Sequence, residues 1–154
     1  MMNFRRFDAA DTESVIAIFR SNIPKYFVES EEFELREYLA GGVEDYYVLE
    51  VDGEVAGAGG IALNADDTVS LCWGMIHSSR LGTGLGKLLT EYRLARSLEL
   101  FGAKPVVTST SQHTAGFYKK LGFVTVEHTP DGFGPGIDIC RMRREAQPRM
   151  HESE

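Results

Sequence analysis

Residues 75–87 read Met75-Ile76-His77-Ser78-Ser79-Arg80-Leu81-Gly82-Thr83-Gly84-Leu85-Gly86-Lys87. A strand-like run over 68–76 feeds three alternating glycines, and an amphipathic helical pattern starts near Gly84. Glycine carries no side chain to hold a ligand off the backbone, so successive N–H groups can converge on one anion. The start of a helix adds unpaired N–H groups and partial positive charge, and Arg80 and Lys87 bracket the turn with two cations. Such a turn suits a phosphate or pyrophosphate. It is not a Walker A loop, which would need a glycine at Leu81 and a hydroxyl at Leu88. Nor is it a dinucleotide fingerprint: counted from Gly82 or Gly84, the last glycine falls on Lys87 or Leu89. A tight strand-to-helix turn with no ligand would use the same residues.

Outward from this turn, strands and helices alternate. Residues 3–7 suit a short strand, after which Asp8 or Asp11 can cap a helix with Val15, Ile16, Ile18 and Phe19 on its apolar face. Pro24 stops it, and Ser30-Glu31-Glu32 opens a second helix carrying Phe33, Leu35, Tyr38 and Leu39. Residues 46–51 and 54–61 flank Asp52-Gly53, a hairpin signal, and a second hairpin turns through Asn64-Ala65-Asp66-Asp67. The helix after the glycines places Leu85, Leu88, Leu89, Tyr92 and Ala95 on one face and stops at Gly102. A β-rich run over 105–109 precedes a helix expected from Ser111 to Leu121, closed by Gly122. Strands at 124–126 and 137–142 are separated by a flexible loop over 129–136. The pattern predicts an α/β fold, helices covering a largely antiparallel mixed sheet. Residues 1–143 form one domain in this reading, and 144–154 a flexible tail.

Composition limits the partners. With Lys+Arg 16 against Asp+Glu 23 the formal charge is -7, which argues against the basic footprint of a nucleic-acid binder. No run approaches the ~18 apolar residues of a membrane span, and no apolar stretch follows Arg5-Arg6 as a secretory signal would require. Cys72 and Cys140 both sit in apolar strand-like runs and read as buried reduced thiols, so the expected location is cytoplasmic. The four histidines and two cysteines show no ligand spacing, and no metal is expected.

A second constellation follows at 108–123, Thr108-Ser109-Thr110-Ser111-Gln112-His113-Thr114-Ala115-Gly116-Phe117-Tyr118-Lys119-Lys120-Leu121-Gly122-Phe123. Together the two segments resemble the GNAT superfamily of acetyl-CoA-dependent N-acetyltransferases. The first is similar to that family's pyrophosphate loop, the second to its C-terminal FY-x-x-LGF segment. The resemblance implies a GNAT-like central sheet splayed like a V, with the pantetheine arm of acetyl-CoA in the gap. It also implies cofactor contacts from Met75, Ile76, Arg80, Leu81, Gly82, Thr83, Gly84, Leu85, Gly86, Lys87, Ser111 and Tyr118. Two positions depart from the family pattern: Leu81 stands where Arg or Gln is usual, and Ser111 where Asn is frequent. Because the loop binds mainly through backbone N–H groups, the cofactor site is expected to survive the change at Leu81, whereas Ser111 would give a weaker hydrogen bond to the pantetheine arm or serve purely as a cap.

The resemblance further implies direct attack by a primary amine on the thioester within a ternary complex. Backbone donors at Met75 and Ile76 would polarise the carbonyl, and Tyr118 would be the general acid. A phenol of ordinary pKa, about 10, is protonated at neutral pH and can donate to sulfur. Tyr118 could equally be a packed core tyrosine beside Phe117 and Phe123. The family's strand carboxylate is missing from 68–76, which leaves Glu29, Asp131, His77 and His128 as candidate bases. Cys72 reads as packing rather than as an acyl carrier. Glu29, Glu31, Glu32, Glu34 and Glu37 could attract a cationic acceptor or simply face solvent. The loop around Phe133 could act as a lid. The acceptor is a small-molecule or peptide amine, and a homodimer is left open. A non-catalytic acyl-CoA-binding module of the same fold is the alternative.

Overall fold

A computed structural model describes residues 1–146. Strand β1 (Met2–Arg6) opens the chain, and Asp8 ends it by starting a turn. The Asp8 carboxylate accepts from the Ala10 N–H at 2.9 Å, and Asp11 reaches back to the Asp8 N–H at 2.9 Å. Two donors that the following turn leaves unpaired are thereby satisfied. Helix α1 (Thr12–Ser21) follows and buries Val15, Ile16, Ile18 and Phe19. Each such side chain taken from water contributes roughly 1.5–3 kcal/mol.

A second short turn, Glu29–Glu31, leads into α2 (Glu32–Ala40). Leu35 and Leu39 are buried as their spacing predicts, whereas Phe33 of the same helix is 71% exposed. At 3.6 residues per turn, Phe33 lies too far around the helix from the Leu35–Leu39 stripe. Strands β2 (Tyr46–Val51) and β3 (Glu54–Leu63) pair antiparallel through Asp52 and Gly53, with φ values of 52° and 84°. Two successive left-handed residues are what a type I′ hairpin demands. The next turn is held by the Asn64 N–H on Thr68 C=O at 2.8 Å and by Asp66, whose carboxylate accepts from the Thr68 hydroxyl at 2.7 Å. It leads into β4 (Val69–Ile76).

Helix α3 (Leu85–Phe101) differs from its predicted face. Leu85 and Leu89 are buried, but Leu88 is 39% exposed, Ala95 is exposed, and the polar Thr90 and Arg93 are buried instead. The stripe runs by fours, Leu85-Leu89-Arg93, with Tyr92 half-buried beside it against Phe4 (4.2 Å) and Tyr47 (5.3 Å), and leaves out Leu88 and Ala95.

Strand β5 (Val106–Thr110) pairs parallel to β4 at two positions, Val69 with Val106 and Ser70 with Val107. Helix α4 (Ala115–Lys119) is shorter than the predicted span from Ser111, because residues 111–114 form a turn of their own. Strand β6 (Val124–Gly134) and β7 (Ile137–Arg144) form a long antiparallel hairpin. The flexible loop expected at 129–136 is therefore mostly strand, and only Pro135-Gly136 turns. The Asp138 carboxylate organises it, accepting from the Asp131 N–H at 2.9 Å and bonding His128 Nε2 at 2.7 Å. Asp131 takes positive φ as the ladder shifts register between Thr129 and Gly134.

Hydrogen-bonded strands follow the order β1-β2-β3-β4-β5-β7-β6, a mixed sheet in which β4 and β5 pair parallel and β1–β2, β2–β3, β5–β7 and β6–β7 pair antiparallel. The chain divides into two compact units, one of Met1–Ile61 with Cys72–Arg93, the other of Ala62–Leu71 with the chain from Leu94 on. Arg144 belongs to β7. The remainder of the expected tail, from 147, lies outside the described residues. No helix among the described residues is long and apolar enough to cross a membrane.

Candidate active site

The glycine turn lies wholly within the first unit. At the end of β4 the His77 N–H bonds Ala56 C=O at 2.8 Å, and the Arg80 N–H bonds His77 C=O at 2.8 Å, forming a 3₁₀ turn over Ser78–Arg80. His77 Nδ1 accepts from the Ser79 N–H at 3.2 Å, so the ring supports the turn. The Thr83 hydroxyl donates to Arg80 C=O and folds the next residues back. Gly82 and Gly84 then take φ of 79° and 87°, and a Cβ built on either would meet nothing within 4 Å. Backbone conformation, not crowding, is what requires glycine there. Residues 81–84 and Lys87 are exposed, and the first-turn N–H groups of α3 have no helical acceptor. The turn thus presents donors and a helix N-terminus to an open surface. Arg80 rests against Glu54 at 3.5 Å.

Two residues that the sequence reading passed over hold this turn. Asn22, 6% exposed, donates from Nδ2 to Ile18 C=O at 3.0 Å and to Ile76 C=O at 2.9 Å. The neighbouring Ser21 hydroxyl accepts the Ser78 N–H at 3.0 Å. The end of α1 is therefore bonded to the end of β4 and to the start of the loop. An asparagine closing an apolar helix just before Pro24 was the available signal.

Strand β4 is distorted on its way to the turn. Trp73 takes φ of 46°, and the Tyr46 hydroxyl donates to its carbonyl at 2.9 Å. For a bulky residue this conformation costs roughly 1–2 kcal/mol. Packing of the indole against Phe27 (6.1 Å) and Phe19 (6.4 Å) helps to hold it. Burial pushes the neighbouring Cys72 thiol up, opposed by Arg93 and by a bond with Tyr38. Cys72 therefore suits packing better than nucleophilic work.

The acidic segment resolves into separate tasks. Glu31 caps the Val28 N–H at 3.0 Å. Glu32 is held down to about 2 by Arg20 and Arg36, and its oxygens meet Arg20 at 2.7 and 2.8 Å. Arg20, Ile23, Glu29 and Glu32 line a shallow groove in which Glu29 has no ion pair among the described residues.

In the second unit Tyr118 is 7% exposed on α4, edge-to-face with Phe117 (5.1 Å) and Phe123 (5.3 Å). Its hydroxyl makes no hydrogen bond among the described residues. The Ser111 hydroxyl accepts the His113 N–H at 3.2 Å, a bond within the turn that precedes α4. His128 and Asp131, two of the candidate bases, are taken up in the hairpin network around Asp138.

A family model described as the GNAT acetyltransferase domain matches residues 11–146. The chain belongs to the GNAT acetyltransferase family. Solved structures agree on the fold. Ard1 from Thermoplasma volcanium is 20% identical with a TM-score of 0.80, covering 96% of this chain and 99% of its own. The ribosomal-protein-S18-alanine N-acetyltransferase from Escherichia coli is 16% identical with a TM-score of 0.76, covering 98% and 97%. Rv2747 from Mycobacterium tuberculosis, solved in complex with CoA, is 17% identical with a TM-score of 0.72, covering 94% and 99%. No curated protein matches the chain significantly by sequence.

Proposed function

We propose that this GNAT protein moves the acetyl group of acetyl-CoA to a primary amine by direct attack. The observation that carries the reading is the glycine turn. Gly82 and Gly84 adopt left-handed φ with open space above them, and the turn runs straight into the N-terminus of α3. Backbone N–H groups from Gly82 to Lys87 would hold the pyrophosphate of CoA, with Arg80 and Lys87 adding charge. N–H groups at the end of β4, around Met75 and Ile76, would bind pantetheine and steady the thioester oxygen as charge develops on it. Glu29 gives an incoming ammonium group a carboxylate that is not already paired. Tyr118 would return a proton to the departing sulfur, and its unbonded hydroxyl is consistent with that role. Ser111 accepts the His113 N–H within its turn and would keep its hydroxyl proton to donate to the pantetheine arm.

Calorimetric titration with acetyl-CoA, CoA and ATP tests the reading. Saturable binding of both CoA species without ATP is the expected result, followed by amine-dependent thiol release in an acceptor screen. Folded protein that binds no acetyl-CoA would overturn it. Binding without turnover on any amine would instead favour the non-catalytic module.

A further inference from the structure

Arg93 is the least expected residue in the first unit. It lies on α3 and is 1% exposed, yet Nε and Nη1 have no hydrogen-bond partner. Nη2 has only the Thr90 hydroxyl, at 3.5 Å. No carboxylate pairs with it among the described residues. Its guanidinium occupies space that side chains at two glycines would otherwise fill: a Cβ at Gly59 would sit 3.1 Å from Cζ, and one at Gly74 would sit 2.5 Å from Nη2. Two glycines on adjacent strands thus make the room it occupies. An arginine keeps its proton under all ordinary conditions, so this is a buried, uncompensated positive charge, a costly thing for a fold to retain.

Its neighbours do not neutralise it. The titratable groups that interact with it are Cys72 of β4, Tyr38 of α2 and Tyr46 of β2, and burial pushes all three up, towards their neutral forms. Asp45 bears on Tyr38. The guanidinium therefore places a positive charge with no paired carboxylate against Gly74, one residue before Met75. Charge buried in low dielectric acts over several ångströms far more strongly than it would in water.

We infer that Arg93 is a positioning residue which touches no reacting atom and whose field favours the negative charge formed at the end of β4 during acyl transfer. This rests on the acetyl-CoA reading above. In that reaction the amine lone pair forms a C–N bond at the thioester carbon, and the carbonyl π pair moves to oxygen. Collapse restores C=O and breaks C–S, with the electron pair leaving on sulfur. The nitrogen gives up one proton and the sulfur gains one. Both the oxyanion and the thiolate are favoured by a fixed cation nearby.

The test needs no acceptor. Affinities of CoA and of desulfo-CoA, which lacks the thiol, are measured by calorimetry across pH for the wild type, Arg93→Met and Arg93→Lys. If the bound thiol ionises more readily than the free one, CoA gains on desulfo-CoA as pH rises; a one-unit drop from an ordinary thiol value of about 8.5 gives about sixfold between about pH 7 and pH 9. The wild type and Arg93→Lys should show this gain, and Arg93→Met should lose it while binding acetyl-CoA as before. The cations Arg80 and Lys87, the His77 ring and the α3 N-terminus are the same in all three proteins. The desulfo comparison also cancels titration of Cys72. An equal gain in Arg93→Met overturns the inference. So does a wild type that binds both ligands with no gain, a result that stands even if Arg93→Met fails to fold. A wild type that binds no CoA species at all overturns the acetyl-CoA reading as well.

Discussion

Asn22 donates its side-chain N–H to the carbonyl of Ile76 across 2.9 Å, joining the residue after α1 to the last residue of β4. The bond is buried and spans 54 positions of sequence. It fixes the point from which the glycine turn departs, and Ser21 fixes the next residue but one through the Ser78 N–H. Asn22→Ala leaves the Ile76 carbonyl buried without this donor, a loss of about 1–3 kcal/mol. Denaturant unfolding should show that loss, and calorimetry should show acetyl-CoA binding weakened by about tenfold. Asn22→Asp, similar in size, should cost more, because it turns a buried carboxyl oxygen towards the Ile18 and Ile76 carbonyls in place of the donor. Unchanged affinity in a folded Asn22→Ala protein would mean that the clamp does not position the turn.

Gly74 and Arg93 should be coupled energetically. The first carbon of any side chain at 74 would lie 2.5 Å from Nη2 and 2.8 Å from Nη1. A buried guanidinium has nowhere to swing, so Gly74→Ala should cost about 1–3 kcal/mol. With Arg93→Met in place the obstruction is gone and the cost should shrink. Urea unfolding of the two single variants and the double variant measures the difference; additive losses would contradict the packing described.

Asp11 predicts an acid-sensitive corner. Its oxygens meet Arg5 at 2.8 and 2.9 Å and also cap the Asp8 N–H. The Arg5 guanidinium is the main cause holding this carboxyl below its ordinary value. A lowered folded-state pKa adds stability above the unfolded value of about 3.9, and that stability is lost as pH falls through the folded value. Asp11→Asn should therefore cost about 1–2 kcal/mol at neutral pH, moderated by the solvent that reaches Arg5. The gap between variant and wild-type melting temperatures should close in acid. A gap independent of pH would assign the effect to the cap alone.

Much of this architecture is legible because local rules act alone. Asp52-Gly53 turns the chain through its own conformational preference, and Val15, Ile16, Ile18 and Phe19 face one way by helical spacing. The glycine turn is readable for the same reason. Arg93 was not, because hydrophobic periodicity treats an arginine as solvent-facing, and only the paired absence of side chains at Gly59 and Gly74 gives it room. The Trp73 backbone is likewise imposed by tertiary contacts with Tyr46, Phe19 and Phe27. The hairpin over 129–136 looked like a loop for its Pro and Gly content, yet Asp138 ties it into a ladder.

Tyr118→Phe should separate proton delivery from packing. Phenylalanine keeps the edge-to-face contacts with Phe117 and Phe123, and no hydrogen bond of the hydroxyl is lost. Melting temperature and acetyl-CoA affinity should then stay near wild type. With an amine from the acceptor screen, kcat should fall by about 10²–10⁴ if the phenol is the general acid. Unchanged kcat would return Tyr118 to the role of a core residue.

Gly82→Ala and Gly84→Ala distinguish a cofactor cradle from a plain turn. Neither new methyl group would touch the protein, so the direct penalty is the left-handed backbone alone, about 1–2 kcal/mol. Gly53, with φ of 84° and nothing within 4 Å, carries the same penalty in the β2–β3 hairpin. All three alanine variants should lose similar stability in thermal unfolding. Acetyl-CoA affinity should fall by tenfold or more only at 82 and 84, where a methyl group would stand in the path of the pyrophosphate, and hold at 53. Equal retention of affinity by all three would mean that the glycines at 82 and 84 serve the chain's turn and nothing else.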